Sequence, residues 1–349
     1  MSAAVEDFRV EASPKDGTLL GSRYRIAGVL GRGGTAEVYL ALDETTGAPV
    51  VVKWLYPHAA RDPQHRERFV AGARATMAVA HPAVARVFAV EETESDPPYV
   101  IMEALVGEPL SAYLDAHGAM PEPLALAIGR EVAKGVAAAH AAGIIHRDLK
   151  PGNLFLVALP GEVPHVKIID FGFAKDTRDP EAGPSSTNLV LGTAQYMAPE
   201  QVLADPVDAR TDVYGFGTVL FRLVTGHLPF DLDVSVDLFS HQIFSPTPPP
   251  SWLVDGLDAD LEQVILRCMR KHPDNRYPSM DAVLADLERI ASGGEIAPLP
   301  LERDPDVYKP RNHSGRVAAE TLAAHFGADA PPPPTSRMDP ESLGERHDP

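Results

Sequence analysis

The hydrophobic period of this 349-residue chain changes once, near residue 106. Before that point, apolar and polar residues alternate in short β-branched runs: "YRIAGVL", "AEVYLAL", "PVVVKWL", "ARVFAV" and "PYVIMEAL". That is the period-2 pattern of half-buried strands. From Gly107 onward the period is helical. Leu124, Ile128, Val132 and Val136 recur every four residues, and "DVYGFGTVLFRLVTG", "DLEQVILRCM" and "DAVLADLERI" come after them. Successive strand side chains point to opposite faces, whereas helical ones realign every three or four residues, so one segment cannot serve both patterns. The reading is an α+β chain of four parts. These are an N-terminal extension (1–20), a β-rich lobe with five strands (21–106), a helical lobe (107–292) and a proline-rich tail (293–349). Between the third and fourth strand runs lies one helix, with Asp62-Pro63 as its start signal and His81-Pro82 as its end. The tail contains "PPPP" and is expected not to pack, apart from one short helix over "RVAAETLAAHF".

Charge narrows the partners. Lys and Arg number 31 against 49 Asp and Glu, a formal net charge of −18. A field of that sign repels nucleic acid and anionic membrane, and no basic run offsets it. Met1 to Leu20 carries Glu6, Asp7, Glu11 and Asp16 without the apolar stretch of a signal peptide. No uncharged apolar run approaches the roughly 20 residues that span a bilayer. The expectation is a cytoplasmic protein with no nucleic-acid or membrane partner. Cys268 is the only cysteine, which excludes an internal disulfide and a cysteine metal cage, and its setting in "VILRCMRKHP" reads as a buried helical position.

Chemistry concentrates in a few segments. "HRDLKPGN" places Asp148, Lys150 and Asn153 within six residues, and Pro151 argues for a loop. Phosphoryl transfer needs an oriented acceptor, a cation near the transferred group and oxygen ligands for a divalent metal, and these side chains supply one each. Asp170 in "VKIIDFGFAK" follows an apolar strand and precedes Phe171-Gly172, a second carboxylate at a strand end, although an acidic turn alone explains three such letters. "LGRGGTAEVYLAL" sets Gly31, Gly33 and Gly34 at a turn between strands, where a backbone without Cβ atoms approaches a phosphate closely. Taken singly, an ordinary glycine hairpin explains that stretch better. Lys53 sits among apolar neighbours in "VVVKWL", so its ammonium must either reach the edge of the sheet or find an anionic partner.

In this order, the motifs resemble the protein kinases, in particular the bacterial eukaryotic-like (Hanks-type) Ser/Thr kinases, from about Tyr24 to Ile290. "GTAQYMAPE" with Thr193 and Glu200, "DVYGFG" with Asp212 and "DNRY" with Arg276 complete the series. The resemblance implies a two-lobed fold with ATP in the cleft between lobes. Its contacts are Leu30, Gly31, Gly33, Gly34, Val38, Val51, Lys53 and Phe155, with Met102 as gatekeeper and Glu103 to Leu105 as the hinge. Mg²⁺, with Mn²⁺ as the alternative ion, is implied on Asp170 and Asn153. Asp148 is implied to orient the acceptor hydroxyl, with Lys150 near the γ-phosphate. Lys150 and Thr193 favour serine and threonine acceptors in protein substrates, and self-association would permit trans-autophosphorylation. Glu200 with Arg276, and Asp212 beneath the catalytic loop, are implied supports. Arg147 is implied to face a phosphorylated residue, for which Ser185, Ser186 and Thr187 are candidates; a serine-rich surface turn reads equally well.

The chain departs from the pattern at one position. Counting back nine residues from the His81-Pro82 pair, the helix glutamate that should face Lys53 is Gly72. Glu67 lies five positions earlier, about 140° round the helix, on another face. Ala36 replaces the third loop glycine, and Val51 replaces the alanine over adenine. Two readings are compatible with this sequence. One is an active kinase whose Lys53 is positioned by another acid, by Asp170 in a resting state, or by ATP. The other is a pseudokinase scaffold that binds nucleotide or partners without efficient transfer.

Overall fold

The computed structural model describes residues 7–92, 96–157, 165–170, 175–176, 194–232 and 236–298. The chain divides into two compact units that are not contiguous in sequence. The first comprises Met1–Glu108, Ala138–His146 and Phe155–Arg178, and the second Pro109–Ala137, Arg147–Leu154 and Asp179–Pro349.

The first unit is built on an antiparallel sheet of strands β1 (Leu19–Leu20), β2 (Tyr24–Arg32), β3 (Ala36–Asp43), β4 (Pro49–Leu55), β5 (Val87–Glu91) and β6 (Tyr99–Glu103), ordered β1-β2-β3-β4-β6-β5. Five of these are the strands expected from alternation. The sixth, β1, comes from the stretch read as an extension, which lacks alternation and joins the sheet through its main chain. Alternation along β4 sends Val50 and Val52 into a core with Leu20, Ile26, Tyr39 and Ile101, and so turns Val51 and Lys53 to the other face. After the short helix α1 (Pro57–Ala60), helix α2 (Pro63–Met77) packs Phe69 and Val70 against Ala36, Leu55, Val87 and Val100. Asp62 caps α2 by accepting from the Gln64 N–H, with Pro63 in its first turn. The helix stops at Met77, earlier than the expected His81-Pro82, because residues 78–84 close into successive turns. A second sheet joins β7 (Gly107–Pro109), β9 (Leu154–Val157) and β10 (His165–Ile168), and β8 (Ile144–Ile145) pairs with β11 (Lys175–Asp176).

The second unit is helical: α3 (Leu110–His117), α4 (Glu122–Ala141, its last turn counted with the first unit), α5 (Pro199–Val202), α6 (Ala209–Thr225), α7 (Val236–Phe244), α8 (Ala259–Cys268) and α9 (Met280–Ala291). The four-residue repeat of α4 buries Ile128, Val132 and Val136. Helix α6 is apolar on nearly all sides and is correspondingly buried. It starts on an Asp208 cap and ends on Gly226 at φ 75°, a left-handed C-terminal cap that favours glycine. Gly217 permits close approach to α8, since a Cβ there would sit 2.6 Å from that of Cys268. Cys268 is fully buried as expected, and burial pushes its thiol pKa up.

Glu200 and Arg276 form the expected ion pair, Nη1 to Oε1 at 2.7 Å and Nη2 to Oε2 at 2.8 Å. Thr211 Oγ1 also donates to Glu200 at 2.8 Å, and Arg276 donates to the carbonyls of Arg210, Arg270 and Lys271. The chain does not leave this unit at Ser292: Ile296 is buried and its N–H donates to Asp260 Oδ2 at 3.1 Å. Packing ends later than composition suggested, because one apolar side chain lies beyond the last helix. The short helix expected over "RVAAETLAAHF" lies outside the described residues. Among the described residues, no helix is long and apolar enough to cross a membrane.

Candidate active site

In the second unit the segment Arg147 to Leu154 is a loop, as Pro151 predicted, closing into a 3-10 turn over Pro151–Asn153. It is held at its start. The Arg147 N–H donates to Asp212 Oδ1 at 2.7 Å, and Gln201 Nε2 donates to the Arg147 carbonyl at 2.8 Å. Arg147 takes φ 66°, a left-handed value unusual outside glycine, which these bonds maintain. The Asp148 carboxylate then receives two donors on Oδ2, Lys150 Nζ at 2.9 Å and Asn153 Nδ2 at 3.0 Å. Asn153 Nδ2 also donates to the Asp148 carbonyl at 2.8 Å. Both nitrogen bonds point one way, so the amide oxygen is the end that remains for a cation. Burial lowers the Arg147 guanidinium to about 10, with Asp212 opposing the shift. Its Nε is buried without a hydrogen-bond partner among the described residues. An anion beside it would relieve that cost.

The first unit holds Lys53 and Asp170. Lys53 lies opposite Val38 on β3 and Val100 on β6, and its ammonium donates to Asp170 Oδ1 at 2.6 Å. Of the partners left open for Lys53, the structure shows Asp170. The carboxylate stands two residues past β10, which is anchored by Ile168 N–H to the Ala83 carbonyl at 2.8 Å and Ala85 N–H to the Ile168 carbonyl at 2.9 Å. Asp170 takes φ 62°, again left-handed. Gly72 is buried on the face of α2 that carries Phe69 and Thr76, and Glu67 is exposed, as its helical angle requires. Behind Lys53 is a cavity of about 30 Å³ lined by Lys53, Phe69, Thr76, Met102 and Asp170 among others, room for about one water.

The glycine loop turns between β2 and β3, the Gly33 N–H donating to the Ala36 carbonyl at 2.9 Å. Gly31 pairs with Val38, and nothing would meet a Cβ within 4 Å at Gly31 or Gly34, so both border open space. Leu30, Val38, Val51, Met102, Leu105 and Phe155 are all half-buried and belong to this unit. The Glu103 side chain is engaged: its Oε1 accepts from Lys167 Nζ at 2.7 Å and from the Arg86 N–H at 3.1 Å. Ser185, Ser186, Thr187 and Thr193 lie outside the described residues, as do Phe171 and Gly172.

Sequence reasoning missed Thr76, whose hydroxyl donates to the Gly72 carbonyl at 2.8 Å inside the helix. Its signal was the spacing from Phe69 through Gly72 to Thr76, which puts a hydroxyl on the buried face. Lys167 was missed because its partner is 64 residues away.

Residues 24–286 match the family described as "Protein kinase domain". The chain is 39% identical to serine/threonine-protein kinase Pkn1 of Myxococcus xanthus over 336 residues, covering 90% of this chain and 47% of that protein. It is 38% identical to serine/threonine-protein kinase PknB of Mycobacterium tuberculosis over 277 residues, 78% of this chain and 44% of PknB. The chain thus spans about half the length of the curated relatives it matches. A crystal structure of the Mycobacterium tuberculosis PknI kinase domain superposes with a TM-score of 0.63 at 24% identity, covering 80% of this chain and all of that one.

Proposed function

Because this chain belongs to the protein kinase family, with bacterial Ser/Thr kinases as its relatives, we propose that it transfers the γ-phosphate of ATP to serine and threonine hydroxyls of proteins, itself included. The observation that carries this reading is the Asp148 carboxylate with Lys150 and Asn153 gathered on it. A scaffold has no chemical use for that arrangement. Asp148 accepts the proton as the acceptor oxygen bonds to the γ-phosphorus and the bond to the bridging β-phosphate oxygen breaks. Lys150 offsets charge on the transferred group, and Lys53 does so on the α- and β-phosphates. The open-sided glycines of the loop present N–H groups to the phosphates, and Val38, Val51, Met102 and Phe155 offer apolar surface to the adenine.

The donors fit a divalent metal. Asp170 offers a carboxylate and Asn153 an amide oxygen, the hard ligands that Mg²⁺ or Mn²⁺ takes. An ion held by such donors would neutralise phosphate charge. Asp170 already holds Lys53 in place of the missing helix acid, so the absence at Gly72 does not leave the lysine unpositioned. Arg147, half-buried and with its Nε short of a partner among the described residues, suits a phosphorylated serine or threonine of the segment containing Ser185, Ser186 and Thr187. Trans-autophosphorylation through self-association would place it there.

Incubation of the purified chain with Mg²⁺ and labelled ATP tests the reading. Transfer to itself or to a generic protein substrate is expected, abolished in Asp148→Asn with Mg-ATP binding retained. A wild type that gains thermal stability from Mg-ATP yet transfers nothing would replace this reading with the nucleotide-binding scaffold.

A further inference from the structure

The stretch before β1 lies along the free edge of β2. Glu11 and Val29 exchange both main-chain bonds, at 2.9 and 2.8 Å, and the Gly17 N–H donates to the Ile26 carbonyl while the Ile26 N–H donates to that of Thr18, each at 2.9 Å. The approach is close because β2 has glycine at 28, where a Cβ would fall 2.7 Å from that of Val10. Side chains tie the stretch across the sheet. Lys15 Nζ stands 4.0 Å from the Trp54 ring centre and 5.0 Å from that of Tyr39. At the far end is Arg32, between Gly31 and Gly33 of the phosphate loop. Its Nη1 donates to Glu11 Oε2 at 2.6 Å and its Nε to Glu37 Oε1 at 3.0 Å.

We propose that residues 10–17 are a strap that positions the phosphate loop, with Glu11 as the positioning residue that holds Arg32. The inference rests on the ATP-binding reading only for its kinetic consequence. A glycine loop has a large conformational freedom to lose when it closes on phosphates. Anchoring its one long side chain to two carboxylates, one on the strap and one on β3, removes part of that freedom in advance. The same pairing keeps the Arg32 cation on the strap side of the loop. An isolated ion pair at this exposure would contribute little. Here one partner is fixed by two reciprocal main-chain bonds, and both ends of the guanidinium are engaged.

The test compares wild type, Glu11→Gln, Arg32→Gln and the double variant, all as full chains. In the nucleotide-free protein, amide hydrogen exchange over residues 30–36 should quicken in Glu11→Gln, with α6 and the melting temperature unchanged. The ATP KM should rise about two- to fivefold, the scale of a partly exposed ion pair, with kcat within about twofold. The double variant should be no worse than Arg32→Gln alone. Unchanged exchange in the loop, an additive double variant, or a loss confined to kcat overturns the proposal. So does a uniform rise in exchange with a lower melting temperature, which would make Glu11 merely structural. Should the wild type transfer no phosphate, exchange and Mg-ATP binding still read the strap, so the two proposals fail separately.

Discussion

At the scale of single residues, Lys53 and Gly72 belong to one problem. The only carboxylate paired with Lys53 among the described residues is Asp170, which is also a candidate metal donor. On the proposed reading, one group would therefore serve both a lysine and a cation. Gly72→Glu places a second acid on the same buried face of α2 and gains helix propensity of up to about 1 kcal/mol. We expect Lys53 to be shared with the new carboxylate and the apparent KM for Mg-ATP to fall severalfold in steady-state assays. An unchanged or higher KM would show that the new side chain faces elsewhere. Asp43 gives a pH prediction. Hydrogen bonds from the Arg23 guanidinium, at 2.9 and 2.7 Å, hold its carboxyl well below the usual carboxylate range. A lowered native pKa adds stability that is complete above the unfolded value of about 3.9 and lost as pH falls from there toward the native value. Because Arg23 is half exposed, solvent screens part of the effect. Urea midpoints of Asp43→Asn should thus fall less steeply than wild type between about pH 5 and pH 2.

At the scale of elements, the buried pair Glu200–Arg276 links the start of α5 to the turn before α9, and Thr211 brings in α6. Glu200→Gln leaves a guanidinium buried without its counter-charge, which costs about 3–5 kcal/mol. Urea unfolding should show that loss, and pairing it with Arg276→Met should recover part of it. Activity falling without loss of stability would mean Glu200 acts in chemistry rather than support. Elements also show how far pattern reading reaches. Five strands, the Asp62 cap and the α4 stripe were legible because each is written in neighbouring residues. The strand at Leu19–Leu20 was not, since it pairs through main-chain groups that every sequence carries.

At the scale of the whole molecule, the described chain extends past α9 to residue 298, and Ile296 is buried there. Burial of an isoleucine contributes about 1.5–3 kcal/mol. A chain ending at residue 298 should match the full length in melting temperature, because the sequence from 299 to 349 is rich in proline, charge and small residues. One ending at Ser292 should melt several degrees lower. Equal melting of the two truncations would show that Ile296 adds nothing to stability.

By itself the sequence determined the order of a β-rich then a helical region, the loop that gathers Asp148, Lys150 and Asn153, and the lack of an acid at Gly72. Asp148, Lys150 and Asn153 lie so close in the chain that a proline-bent loop brings them to one carboxylate wherever it is placed. Tertiary structure alone decided which acid meets Lys53, since Lys53 and Asp170 are 117 residues apart. It alone set Glu11 against Arg32 and tucked Ile296 into the helical unit. Such contacts depend on where folded elements carry their ends, and no local spacing of residues encodes a distance across the fold.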